Sequence, residues 1–103
     1  AYAASYFADV RLVGVVGRDC GDEHLAALRA RGVDTDGVEI ADGKTFRWAG
    51  RYEADWNTRH TLDTQLNVFE HFDPKLPKNY RTSPYVFLAN AAPAIQMKAL
   101  EQC

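Results

Sequence analysis

Hydrophobic and polar positions change period several times along this chain, and each change predicts a different element. Leu12, Val13, Val15 and Val16 form a nearly continuous apolar run closed by Gly17. That is how a strand covered on both faces of a parallel sheet looks, so it predicts an interior strand, not an edge. The spacing then becomes helical. Leu25 and Leu28 mark a buried stripe, Asp19 stands where an N-cap carboxylate belongs, and Asp22 and Glu23 put negative charge at the positive end of the dipole. Arg29, Arg31 and Gly32 read as the carboxyl end of this helix, which spans roughly three turns. Val33 and Val38, around the turn-rich Asp34-Thr35-Asp36-Gly37, lead back into extended chain.

From Lys44 to Phe72 the period is two. Phe46, Trp48, Gly50 and Tyr52 alternate with polar or small neighbours, which predicts a half-buried strand with one aromatic face. Asp55-Trp56-Asn57-Thr58 is a hairpin turn. The return strand puts His60, Leu62, Thr64, Leu66 and Val68 on one side and Arg59, Thr61, Asp63, Gln65, Asn67 and Phe69 on the other. Two prolines flanking Leu76 in Asp73-Pro74-Lys75-Leu76-Pro77 stop any ladder. Asn79 to Pro84 is polar connection, Tyr85-Val86-Phe87-Leu88-Ala89 suits a second central parallel strand, and Pro93 opens a final helix with Ile95, Met97 and Leu100 on its apolar face. At the other end, Ala3, Ala4, Phe7 and Ala8 suggest a close-packed helical face that Asp9 ends. No start signal precedes the first segment and no closing signal follows the last helix, so the chain is expected to be a piece of a larger α/β unit.

Composition narrows the reading only a little. The 103 residues are 47% hydrophobic and 25% charged, the balance of an ordinary globular domain. A formal charge of −2 offers no bulk attraction to nucleic acid or to an acidic membrane. No apolar run approaches the ~18 residues of a membrane span. Cys20 and Cys103 have no clip-like spacing, which favours a reducing, cytoplasmic compartment. His24, His60 and His71 are too scattered to suggest a metal site.

Gly14-Val15-Val16-Gly17-Arg18-Asp19, then Gly21-Asp22, then Leu-Arg-Ala-Arg-Gly-Val-Asp-Thr at 28–35, carry a resemblance. Their combined spacing is similar to a block of the ribokinase-like (PfkB) carbohydrate kinases, and the likeness runs through most of the chain. It implies an α/β fold: a partial Rossmann-like (ribokinase-like) parallel sheet with helices over 1–43 and 73–103, plus a small antiparallel β lid over 44–72. The implied activity is transfer of the γ-phosphoryl of ATP to a carbohydrate hydroxyl. A nucleoside kinase and a non-catalytic dimerisation or binding module are the alternatives.

The resemblance also says where substrate would sit. In the family the lid opens with Thr-Gly, and side chains at alternate positions after that Thr close over the sugar. Thr45 is present, but Phe46 replaces the glycine, which leaves the register open. Carried across by position, Trp48 and Gly50 face the substrate with Phe46 on the same side. Aromatic faces suit this, since sugar C–H surfaces are apolar. The same rings equally suit packing on the body of the fold or on a second copy's lid, giving a homodimer. Arg47, Arg51 and Arg59 can meet an anionic group, or pair with Glu53, Asp55 or Asp63 as solvated surface arginines. Arginines beside aromatics also fit a single-stranded nucleic-acid platform, which the acidic balance disfavours.

The family's Gly-Ala-Gly-Asp motif, whose Asp is the base and whose backbone N–H groups form an anion hole, does not occur in this sequence. Nor is there a Walker lysine or a dinucleotide fingerprint. No catalytic residue is therefore expected in this chain. ATP and Mg²⁺ are expected only in a full-length relative, with a sugar or nucleoside as the small-molecule partner.

Overall fold

The structure is a computed structural model describing residues 1–103. Its organising unit is a strand, a helix and a second strand. β1 (Arg11–Gly17) is joined by α1 (Asp22–Ala30) to β2 (Asp34–Ala41), and the two strands pair in parallel, Val15 opposite Glu39 and Gly17 opposite Ala41. This is the crossover that parallel strands require. Leu25 of α1, together with Val33 just before β2 and Thr35 at its start, is buried; the Thr35 hydroxyl accepts from Arg29 Nε at 2.8 Å.

The carboxyl end of α1 closes as its sequence suggests. Gly32 takes φ +79°, its N–H donates to the Arg29 carbonyl at 2.9 Å, and the Val33 N–H donates to the Leu28 carbonyl at 3.1 Å. Those two bonds are a Schellman closure. The amino end differs. Gly21 is the N-cap and no side chain caps the helix. Asp19 is therefore not an N-cap: its carboxylate is held elsewhere, by Thr45.

The second strand pair is antiparallel and separate. β3 (Arg47–Tyr52) and β4 (Arg59–Gln65) form a ribbon around the turn at 53–58. In that turn the Asp55 carboxylate accepts from the Asn57 N–H, the Thr58 N–H and the Thr58 hydroxyl at 3.0, 2.9 and 2.7 Å. This dense Asx-type capping holds Trp56 at φ +58°. The return strand ends at Gln65, earlier than its alternation suggests, because Asn67–Phe69 winds into a 3-10 turn.

Beyond the ribbon the chain supplies an unforeseen part of the core. Leu76, between its two prolines, is buried, and Tyr80, in a 3-10 turn at Lys78–Tyr80, is only 3% exposed. The Tyr80 hydroxyl donates to the Asp34 carboxylate and accepts from the Gly37 N–H at 3.3 Å, at the irregularity between Arg11 and Val13 in the β1–β2 register. Any Cβ at Gly37 would collide with that ring. Arg11 lies over the ring and donates to the Asn79 carbonyl at 2.8 Å. The stretch expected to be polar connection thus plugs one end of the sheet. α2 (Pro93–Leu100) begins at Pro93 as expected. It is tied to residues 73–76 by polar bonds, with Lys98 on Asp73 at 2.9 Å and Gln102 bridging the Pro74 carbonyl and the Leu76 N–H.

Three expectations fail for one reason, the absence of a packing partner. β1 pairs only with β2, so it has a free edge and is not interior. Tyr85–Ala89 forms no strand, and Tyr85 and Phe87 are each 91% exposed. Ala1–Ala8 contains only a 3-10 turn at Ala4–Tyr6, with Phe7 exposed and Tyr6 against the Arg31 guanidinium at 3.8 Å. Strands need a neighbour's backbone groups, and a segment this short does not hold a helix without packing. The surface reflects it. The accessible area is 7827 Å², against about 5,800 Å² for a self-contained domain of this mass. The radius of gyration is 15.0 Å, against about 13 Å for a compact chain of this length.

Tyr80→Phe keeps the ring but removes the hydroxyl between Asp34 and Gly37. The expected loss is about 1–2 kcal/mol, read as a lower urea midpoint with unchanged slope.

Candidate functional site

The ribbon's usable face is decided by one extra residue. Ala49 sits opposite Asp63, but the next pair is Gly50 with Thr61, so Leu62 is a bulge on β4. Directly opposed residues share a face. Trp48, Gly50 and Tyr52 of β3 therefore share theirs with Thr64, Thr61 and Arg59, while Ala49 and Arg51 share the other with Asp63 and His60. Uninterrupted alternation had separated Thr64 from Thr61 and Arg59. The bulge reverses the pleat at Leu62 and unites them.

Side chains agree with that face. The Trp48 indole lies across Gly50, and any Cβ at position 50 would overlap the ring, so this glycine is required for the ring to lie flat. Trp48 Nε1 donates to Thr61 Oγ1 at 3.3 Å, and the Arg59 guanidinium carbon stands 5.5 Å from the ring centroid. Trp48 remains 38% exposed and Tyr52 half-exposed. The result is a flat apolar surface with a hydroxyl and a guanidinium at its rim. That combination can stack on an apolar molecular face and bond polar groups around it.

Trp48 and Gly50 are thus brought together, whereas Phe46 goes to the ribbon's base. Its ring packs edge-on against Phe69 at 5.7 Å, and Phe69 stacks on Phe72 at 5.9 Å. None of Arg47, Arg51 and Arg59 lies within ion-pair distance of a carboxylate; Glu53 pairs instead with His60 at 2.7 Å. Arg59 and Thr61 were not singled out with Trp48 from sequence, because their membership of this face depends on the bulge. A cleft of about 440 Å³, lined in part by Val15, Glu39, Lys44, His71 and Phe72, opens below the ribbon rather than on the Trp48 face.

The ribbon joins the sheet through Thr45. Asp19 Oδ1 accepts from the Thr45 N–H and hydroxyl, both at 2.7 Å, and Thr45 Oγ1 accepts from the Gly17 N–H at 2.9 Å. The Thr45 hydroxyl, then its N–H, holds the Asp19 carboxyl below the usual 3.8. In the hairpin the Thr58 hydroxyl and the Thr58 and Asn57 amides do the same for Asp55. No group of three or more His, Cys, Asp or Glu side chains is gathered as a metal site would require. No protein-family model matches the chain, and no curated protein matches it either.

Two measurements check this geometry. In a Trp56→Phe background, Gly50→Ala lifts the Trp48 ring and shifts its emission to the red; an unchanged spectrum contradicts the packing. Lowered carboxyl pKa values contribute stability that is present above about 3.8 and lost as pH falls through the folded-state values. The melting temperature is therefore expected to be level near pH 5–7 and to drop progressively below about pH 4, and Asp19→Asn makes that drop shallower.

Proposed function

We propose that this chain is the substrate-facing portion of a ribokinase-like carbohydrate kinase, in which the β3–β4 ribbon is a lid closing over a sugar. The observation that carries the reading is the Trp48 ring laid flat over Gly50, with Thr61 and Arg59 at its edge. A pyranose or furanose offers what that face takes, an apolar C–H surface bounded by hydroxyls. Arg59 extends the range to sugar acids, because its guanidinium has no carboxylate partner in the chain.

The resemblance in 14–35 supplies the reaction class, phosphoryl transfer from ATP to a hydroxyl. The residues here do not fit a nucleotide or its magnesium. They include no Gly-Ala-Gly-Asp motif, no Walker lysine and no gathered carboxylates. No catalytic role is therefore assigned to any residue of this chain, and the reactive centre belongs to polypeptide packed against it. Roughly 2,000 Å² of surface beyond that of a self-contained domain, the free edge of β1 and the exposed Tyr85–Ala89 run are what such polypeptide would cover. Cys20 and Cys103 as free thiols suit a cytoplasmic enzyme. No helix is long and apolar enough to cross a membrane.

The test uses the chain with Trp56→Phe, leaving Trp48 as the reporter. Millimolar aldoses, ketoses and sugar acids are expected to change Trp48 emission, and Trp48→Ala to abolish that response. A response to nucleosides alone moves the assignment to a nucleoside kinase. No response to any class overturns the lid reading. With ATP and Mg²⁺ added, no phosphorylated sugar is expected; turnover by this chain refutes the placement of the reactive centre elsewhere.

A further inference from the structure

The ribbon meets the rest of the chain where the backbone enters it at Gly43–Thr45 and leaves it at Asn67–Val68. β3 and β4 pack chiefly on each other, so their orientation depends on what happens at these two crossings. Both are gathered at the end of β1. The Arg18 N–H donates to the Gly43 carbonyl and the Val68 N–H to the Lys44 carbonyl, each at 3.1 Å. Asn67 Nδ2 donates to the Thr45 carbonyl at 2.9 Å, from a residue at φ +51°, a conformation that asparagine tolerates better than most.

Thr45 is the centre of this cluster and uses every polar group it has. Its N–H and its hydroxyl donate to Asp19, its hydroxyl oxygen accepts from Gly17, and its carbonyl accepts from Asn67. Because an ionised carboxylate only accepts, Asp19 orients the hydroxyl hydrogen toward itself and leaves the oxygen lone pair for the Gly17 N–H. The bonds to a charged acceptor are the strong ones of the set. Asp19 caps no helix and pairs with no cation.

We propose that Asp19 and Thr45 form a latch that fixes the ribbon's angle against the sheet, Asp19 acting as a positioning residue for the Trp48–Gly50 face. What the face binds rests on the carbohydrate reading; the latch does not. Releasing it lets the ribbon swing about the two crossings as a unit, since neither the Asp55 turn nor the β3–β4 ladder involves Asp19. Phe46 on Phe69 remains as an apolar contact at the base, without the directionality of hydrogen bonds.

Amide hydrogen exchange by NMR and time-resolved anisotropy of Trp48, both in the Trp56→Phe chain, test the latch. Asp19→Ala and Thr45→Val are expected to speed exchange of the Gly17 and Val68 amides at least tenfold and to add a fast component to Trp48 anisotropy. The Val33 and Glu53 amides, which are bonded within the core and within the ribbon, should keep their parent rates. Thr45→Ser, which retains the hydroxyl, should match the parent in both readouts. If Asp19→Ala does not fold, Asp19→Asn is read instead, with the same expected direction. Parent-like hinge amides and anisotropy overturn the proposal, and so does equal acceleration of the Val33 and Glu53 amides, which marks a general loss of stability. Neither readout involves a sugar, so failure of the carbohydrate reading leaves this result standing, and the converse also holds.

Discussion

The two sheets can meet only because Gly17 has no side chain. A Cβ there would overlap the Gly43 carbonyl oxygen and the Lys44 and Thr45 backbone, so the last residue of β1 is the point over which the chain crosses on its way into the ribbon. Close backbone approach lets the Gly17 N–H reach the Thr45 hydroxyl and the Arg18 N–H reach the Gly43 carbonyl. Moving that crossing outward by the width of a methyl group would remove both bonds and with them the seat of Asp19. Geometry at one glycine therefore links the sheet, the hinge and the face that carries Trp48.

Burial is distributed unevenly around that point. The buried apolar residues are few: Leu25 of α1, Val33 just ahead of β2, and Leu76 and Tyr80 of the proline-rich segment. Tyr80 contributes most through position. Its ring fills the space that Gly37 leaves open, and burial, with the bond to Asp34 second, pushes its hydroxyl up to about 12, so it stays a neutral donor at physiological pH. The rest of the molecule is thinly covered, with Tyr85, Phe87 and Phe7 in solvent. Exposed apolar side chains grouped as they are in Tyr85–Leu88 mark a surface fit for association.

On the ribbon, function-bearing chemistry depends on backbone detail more than on composition. The flat Trp48 surface needs Gly50, and its polar rim needs the Leu62 bulge to bring Arg59 and Thr61 round to the same side. Without that bulge the indole would face a different set of neighbours, and the opposite face would hold the guanidinium. Phe46 shows the complementary case: alternation groups it with Trp48, but Phe69, itself stacked on Phe72, winds back and takes its ring.

Local signals were sufficient wherever the physics is local. The apolar run of β1, the Arg29–Gly32 closure of α1, the hairpin turn at Asp55 and the start of α2 at Pro93 all rest on residues close in sequence, and each is readable from them. Parallel pairing of β1 with β2 follows from the helix between them. Contacts between distant segments were not legible. Asp19 reads as a helix cap because a carboxylate after a strand satisfies that role, and only the arrival of Thr45, 26 residues on, gives it a better partner. Tyr80 sits in a polar stretch and becomes core because the sheet offers a glycine-lined gap to its ring. Tyr85–Ala89 has the composition of a strand but no ladder to join. Sequence determined the segments of β1, α1, the ribbon and the start of α2; the tertiary structure decided which of their faces are covered and left Ala1–Ala8 without a helix and Tyr85–Ala89 without a strand, because both outcomes depend on surfaces brought together from far apart in the chain.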